Sequence, residues 1–222
     1  MARIADFALD WSLTTGADAL PAFLARAWQQ RDSCIRMTEA KTHLSASPGY
    51  EAFIAGSCAA ATLSQVAYFE RRHPTFRVDL IEASERSDYV DRILSWASDN
   101  IASGPVGVST SVDVEGLEIT QSKLGRQGAA DLADRILGEV ASGLHILGVR
   151  KFVVAGGETS GQVMSALGVK QLAVAGFDEL SGGYCHQAGT KPTSFVLKAG
   201  AIPKDDFFFI AIERLREADM LG

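Results

Sequence analysis

The run Val153-Val154-Ala155-Gly156-Gly157-Glu158-Thr159-Ser160-Gly161 places two glycines directly after an apolar stretch and two hydroxyl residues shortly after the glycines. Glycine reaches φ > 0 without steric penalty and leaves no Cβ between a ligand and the backbone. Thr159 or Ser160 can cap a helix that runs to about Leu167, before Gly168. The free N–H groups and positive end of such a helix would bind an anion, and the Thr159 hydroxyl could donate to a phosphate oxygen. Close packing of a helix on a strand would ask for the same two glycines. The spacing is neither that of a P-loop nor that of GxGxxG.

Two more turns have related composition. Ala55-Gly56-Ser57-Cys58 ends an apolar run, and Lys198-Ala199-Gly200-Ala201 ends another. At the second, a cation and a bare backbone meet, so Lys198 can neutralise phosphate charge or pair with a carboxylate. Asp205 and Asp206 open the last helix, where negative charge suits the helix dipole; with no third ligand offered, capping is favoured over metal binding. His43, His73, His145 and His186 share no spacing that suggests ligation or a triad. His145 lies in a helical stripe. His186, in the loop-like Gly182-Gly183-Tyr184-Cys185-His186, is the one histidine placed near the site. Cys185 has only that neighbour as a basic partner, which argues against a catalytic thiol. No catalytic residue is assigned.

The elements that must position these turns alternate along the chain from Tyr50. Ala52–Gly56, Phe76–Leu80, Pro105–Val112, Lys151–Ala155, Gln171–Ala175 and Ser194–Lys198 read as strands. Phe76–Leu80 alternates apolar and polar residues, as a strand does at an edge or with one wet face. Between them, Thr62–Arg72, Val90–Ile101 and the stripe from Ala129 to Leu144 read as helices, the last followed by Gly148. Asp205–Glu217 closes the chain as a phenylalanine-rich helix. The expected fold is a three-layer α/β domain: a mostly parallel or mixed sheet with helices on both faces, and ligands in the strand-to-helix turns. Residues 1–49 read as one helix (Ala17, Leu20, Phe23, Leu24, Ala27) and a polar, linker-like segment, with residues 50–222 as the domain.

Bulk properties narrow the partners. A 222-residue chain with 47% hydrophobic residues can build a core without a metal or disulfide staple. Its net charge of -6 disfavours nucleic acid and anionic membranes. Cys34, Cys58 and Cys185 are scattered, without CxxC spacing, as expected of reduced thiols in a soluble, cytoplasmic protein. No bound metal is expected from these residues.

Gly56-Ser57-Cys58, the GGETSG hexapeptide at 156–161, and Val196-Leu197-Lys198-Ala199-Gly200 ahead of Asp205-Asp206-Phe207-Phe208 together resemble the C-terminal half of the four-carbon acid sugar kinases. The resemblance runs from about Tyr50 to the C-terminus. It implies an ATP-dependent kinase of sugar acids such as 3-oxo-tetronate, with Mg²⁺ accompanying the nucleotide. It implies that ATP contacts Ser57, Gly156, Gly157, Glu158, Thr159 and Gly200, beside Lys198. The family's N-terminal sugar-acid domain, with its Asp-Asp-Phe-Thr-Gly segment, is not among these residues. A separate sugar-acid-binding domain or a homo-oligomer is therefore the expected partner. Ala55 and Ala59 stand where serines are common, and Leu180–Cys185 and Ala199–Pro203 depart from the family's loops. Those departures support an alternative, a non-catalytic nucleotide-binding or regulatory module on the same fold.

Overall fold

A computed structural model describes residues 1–16, 19–32, 44–175, 183–200 and 202–221. They fall into two units, Met1–Ala40 and Lys41–Gly222. In the first, α1 (Ala2–Ala8) and α2 (Ala19–Arg31) bring Ala5, Ala8, Leu24 and Ala27 into a small apolar cluster. Arg31 pairs with Asp10 at 2.6 Å. The expected single helix is α2; α1 is additional, and at 7 residues it is too short for a helical period to stand out.

The second unit forms around apolar strands whose side chains alternate between two faces. Phe53, Ala55, Val153, Ala155 and Val196 enter one core, and Ala52, Ile54, Val106, Val108, Phe152 and Val154 enter the other. The strands are β1 (Tyr50–Ala55), β2 (Thr75–Arg77), β3 (Val106–Ser109), β4 (Val149–Ala155), β5 (Ala173–Val174), β6 (Gly183–Gln187) and β7 (Thr193–Lys198). Their order is β2-β3-β1-β4-β7-β6-β5. β2, β3, β1, β4 and β7 are parallel, while β6 runs antiparallel to both β7 and β5. Helices α3 (Ala60–Glu70) and α9 (Phe207–Leu221) supply Val66, Phe69, Phe207 and Phe208 to the first core. Helices α4 (Leu80–Glu85), α5 (Tyr89–Asn100), α7 (Arg126–Ile146) and α8 (Gly157–Ala166) cover the other face, and α6 (Val114–Leu124) packs on α4 and α7. The result is the expected three-layer α/β architecture with a mixed sheet.

Two local expectations are corrected. The alternating run Phe76–Leu80 is not one strand, because the Asp79 carboxylate accepts from the N–H groups of Ile81 (2.8 Å) and Glu82 (3.1 Å) and starts α4 there. His186 does not lie in a loop near the site. It is in β6, 5% exposed, where its Nδ1 pairs with the Ser194 hydroxyl at 2.9 Å, which also takes a hydrogen bond from Ser47. A polar side chain on a strand is tolerated in the core when its hydrogen bonds are met. His43, Cys34 and the loop residues 180–182 lie outside the described residues.

Lys151 of β4 is 2% exposed and forms an ion pair with Asp219 at 2.5 Å. It also donates to the Ser47 carbonyl (2.9 Å), while Asp219 accepts from the Ser47 N–H (2.7 Å). This staple holds the segment before β1 and the end of α9 on the central sheet. Burial lowers the pKa of His73, His145 and His186, with Arg216 adding to the effect at His73 and Arg150 at His145. Each is therefore held neutral in the fold and protonates more readily when unfolded. Stability should be complete above the ordinary histidine value of 6.5 and decline as pH falls below it toward the lowered folded values. Urea midpoints measured between pH 7.5 and 5.5 check this; a flat or rising midpoint on acidification would show that these imidazoles do not govern the acid limb.

Candidate functional site

β1 and β4 are neighbours whose outgoing helices leave on opposite faces, α3 on one and α8 on the other. Such a divergence opens a crevice outside the carboxyl ends of the two strands, the usual ligand position in open α/β sheets. The turns after β1, β4 and β7 meet at this crevice. The Gly56 N–H donates to the Ala155 carbonyl at 3.1 Å and the Gly156 N–H to the Lys198 carbonyl at 3.0 Å, so the three turns are tied edge to edge.

The glycines fit so closely that side chains are excluded. A Cβ on Gly56 would lie 2.3 Å from the Thr159 hydroxyl and 3.0 Å from Leu137. Gly156 has φ +126°, and a Cβ there would lie 2.9 Å from the Thr159 hydroxyl and 3.4 Å from the Ser57 nitrogen. A Cβ on Gly200 would lie 2.6 Å from the Ser57 hydroxyl. Gly157 differs: a Cβ would meet no atom within 4 Å, so packing does not explain it. Close packing therefore accounts for Gly156, and open space beside the backbone remains at Gly157.

Capping by Thr159 or Ser160 is corrected. Gly156 is the N-cap of α8 and offers no side chain, so the first N–H groups of the helix carry no side-chain cap. The Ser160 hydroxyl donates back to the Gly156 carbonyl at 2.7 Å. Thr159 sits in the first turn, only 4% exposed, with its side chain on a cavity rather than on the helix end. Glu158 lies beside it on the exposed side of that turn.

The cavity, of about 470 Å³, lies on the α7 face of the sheet between α4, α6 and α7. Leu80, Leu117, Ala129, Ala133 and Leu137 make its walls largely apolar, and Thr110, Glu158 and Thr159 line it near the turns. Sequence reasoning missed this half of the site. The available signals were the small residues Ala129, Ala130 and Ala133 on one stripe of α7, and the hydroxyl run Ser109-Thr110-Ser111 at the end of β3. Asp134 of α7 also reaches the cavity; its pKa is raised by burial and then by the negative charge of Glu158.

Lys198 lies on the other side of the Gly56–Ser57 turn, beneath α3. It is 1% exposed and donates to the Thr62 hydroxyl (3.2 Å) and the Gly200 carbonyl (3.4 Å). The carboxylate partner considered for it is absent among the described residues, and burial lowers its pKa to about 8. The loop after β7 is moulded on α3: Gln65 donates to the carbonyls of Ile202 (2.8 Å) and Lys204 (2.7 Å), and Ser64 to the Asp205 carboxylate (2.6 Å). Asp205 thus anchors this loop. Cys185 is buried and its thiol is pushed up to about 11 by burial, which disfavours the reactive thiolate. Among the described residues, no group of three or more His, Cys, Asp or Glu is placed to hold a metal, and no helix is long and apolar enough to cross a membrane.

A family described as the nucleotide-binding C-terminal domain matches residues 52–208. A protein named 3-oxo-tetronate kinase from Burkholderia multivorans is 37% identical over 167 residues, 75% of this chain and 39% of its own length. One of the same name from Methylobacterium radiotolerans is 34% identical over 210 residues, 93% of this chain and 49% of its own. A crystal structure of a Haemophilus influenzae protein superposes with a TM-score of 0.75 at 25% identity, covering 96% of this chain and 50% of the other. The chain thus spans half or less of the length of these relatives.

Proposed function

This chain belongs to the family of nucleotide-binding C-terminal domains, and from that membership we propose that it is the ATP-binding half of a sugar-acid kinase. The observation that carries the reading is the meeting of the Gly56 and Gly156 turns around the buried Thr159 hydroxyl at a cavity, with the Gly200 turn packed against Ser57 beside them. The cavity has the size and apolar walls that suit a nucleoside. Gly56, Ser57, Gly156, Gly157, Glu158, Thr159 and Gly200 would supply backbone N–H groups and hydroxyls to the phosphates, with the end of α8 adding its partial positive charge. Lys198 stands beside Gly200 as the cation of the set. Asp134 and Glu158 are the carboxylates available to the Mg²⁺ ion that accompanies ATP.

Phosphoryl transfer depends on positioning and on charge stabilisation. The cradle described above supplies both for the donor. A base and a clamp for the acceptor carboxylate are the remaining requirements. The names of the relatives, and their roughly doubled length, support a second domain as their source, on a separate polypeptide or in a longer product. The acceptor is then a four-carbon sugar acid such as a 3-oxo-tetronate.

Isothermal titration of the chain with ATP and Mg²⁺ is the direct test. Binding at micromolar to millimolar ATP is expected, with turnover only once the sugar-acid domain is added. Absence of heat at millimolar ATP would sink the proposal; binding without turnover beside a matching domain would favour the regulatory alternative.

A further inference from the structure

The turns at the crevice join two environments that lie on opposite faces of the sheet. On one side is the apolar cavity, with the N-terminus of α8 and Thr159. On the other is the N-terminus of α3, whose N-cap residue Ala59 supplies no side-chain hydrogen bond. Lys198 is buried directly below that second helix end, bonded to Thr62 in its first turn. Only the Gly56–Ser57–Cys58 turn separates the two, and Gly200 passes close enough to Ser57 that a Cβ would meet its hydroxyl at 2.6 Å.

A buried ammonium with no opposing charge is unfavourable unless something supplies one. Among the described residues, the groups around Lys198 are neutral: the Thr62 hydroxyl, the Gly200 carbonyl and the Phe207 ring, 5.9 Å from its nitrogen to the ring centre. Two acceptors serve three N–H groups. An anion arriving at the α3 end of the crevice would supply that opposing charge. A nucleotide whose base lay in the cavity would run its phosphates from α8 past Ser57 toward α3, where Lys198 is bonded to Thr62.

We propose that Lys198 supplies the charge that holds the terminal phosphoryl group of a nucleoside triphosphate at the N-terminus of α3, and so makes the chain select triphosphate over diphosphate. The inference rests on the nucleotide reading above and adds a direction to it. The inner phosphates belong to the Gly156–Thr159 turn and the transferred group to α3 and Lys198. The acceptor hydroxyl must then approach over the α3 and β7 side of the crevice, away from the cavity.

The test compares ADP with the β,γ-imido analogue of ATP, each with Mg²⁺, on the wild-type chain and on Lys198→Met. Methionine keeps most of the buried volume and removes the charge. In the wild type the triphosphate should bind about tenfold or more tightly than ADP, the gain expected of a charge-assisted hydrogen bond. In Lys198→Met that ratio should fall to about one while ADP affinity stays within about twofold. An unchanged ratio, or equal weakening of both nucleotides, would overturn the assignment and leave the nucleotide site standing. No binding of either nucleotide to the wild type would remove both readings together. Should the variant fail to fold, proton uptake by the wild type decides. Free Lys198 has its pKa lowered to about 8 by burial alone. At pH 8.5 the imido analogue should therefore take up protons on binding and ADP should not; equal uptake counts against the assignment.

Discussion

Replacing Gly56 by valine should abolish nucleotide binding while leaving the sheet intact. The new Cβ would begin 2.3 Å from the Thr159 hydroxyl and 3.0 Å from Leu137, and valine adds two methyl groups beyond it. Thr159 is buried and cannot swing clear without moving the first turn of α8, so the α8 end of the cradle must shift. Leu137 is a fully buried wall of the cavity, so the cavity is narrowed by the same change. Losing two or three phosphate hydrogen bonds at about 1 kcal/mol each, with further misplacement of the cavity, predicts at least ~100-fold weaker ATP binding. Calorimetric titration measures the loss and far-ultraviolet circular dichroism checks the fold. Retention of affinity within a few fold would place the phosphates away from the β1 turn.

Phe53→Ala should be the more damaging change for stability. Phe53 is fully buried on β1, stacked on Phe208 of α9 at 4.4 Å and edge-on to Phe69 of α3 at 4.8 Å between ring centres. It also fills the space left by Gly107 on β3, where a Cβ would lie 2.1 Å from its ring. Truncation opens a cavity bounded by two helices and two strands. Such Phe→Ala changes cost about 3–5 kcal/mol. Urea unfolding followed by fluorescence should show a correspondingly lowered midpoint. The same ring supports the site, because α3 and the loop it moulds depend on this core. A loss below about 1 kcal/mol would mean the aromatic cluster repacks, and the link between core and cradle would be weaker than described.

The main strands and helices were legible because burial imposes simple periods. Ala52–Ala55 and Phe152–Ala155 are continuous apolar runs, as strands covered on both faces must be. The stripe from Ala129 to Leu144 has one face to bury, and it became α7. Misreadings arose where a local hydrogen bond outweighed the pattern. Asp79 turned the second half of an alternating run into α4, and Ser194 absorbed the polarity of His186 so that a loop-like stretch became β6. The short helix α6 has a single well-buried residue, Thr120, so it carried little periodic signal, yet it walls the cavity.

By itself, the sequence determined that GGETSG follows a buried strand, and with it the family and the chemistry to look for. It could not say which glycine was there for which reason. The tertiary structure decided that: Gly156 is crowded by Thr159 and Ser57, while Gly157 faces open space. Only the folded chain could also place Lys198 on the far side of the Gly56–Ser57 turn from the cavity. The physical reason is that residues 56, 156 and 198–200 are brought together by the order of the parallel strands, and strand order leaves no trace in any local window of residues.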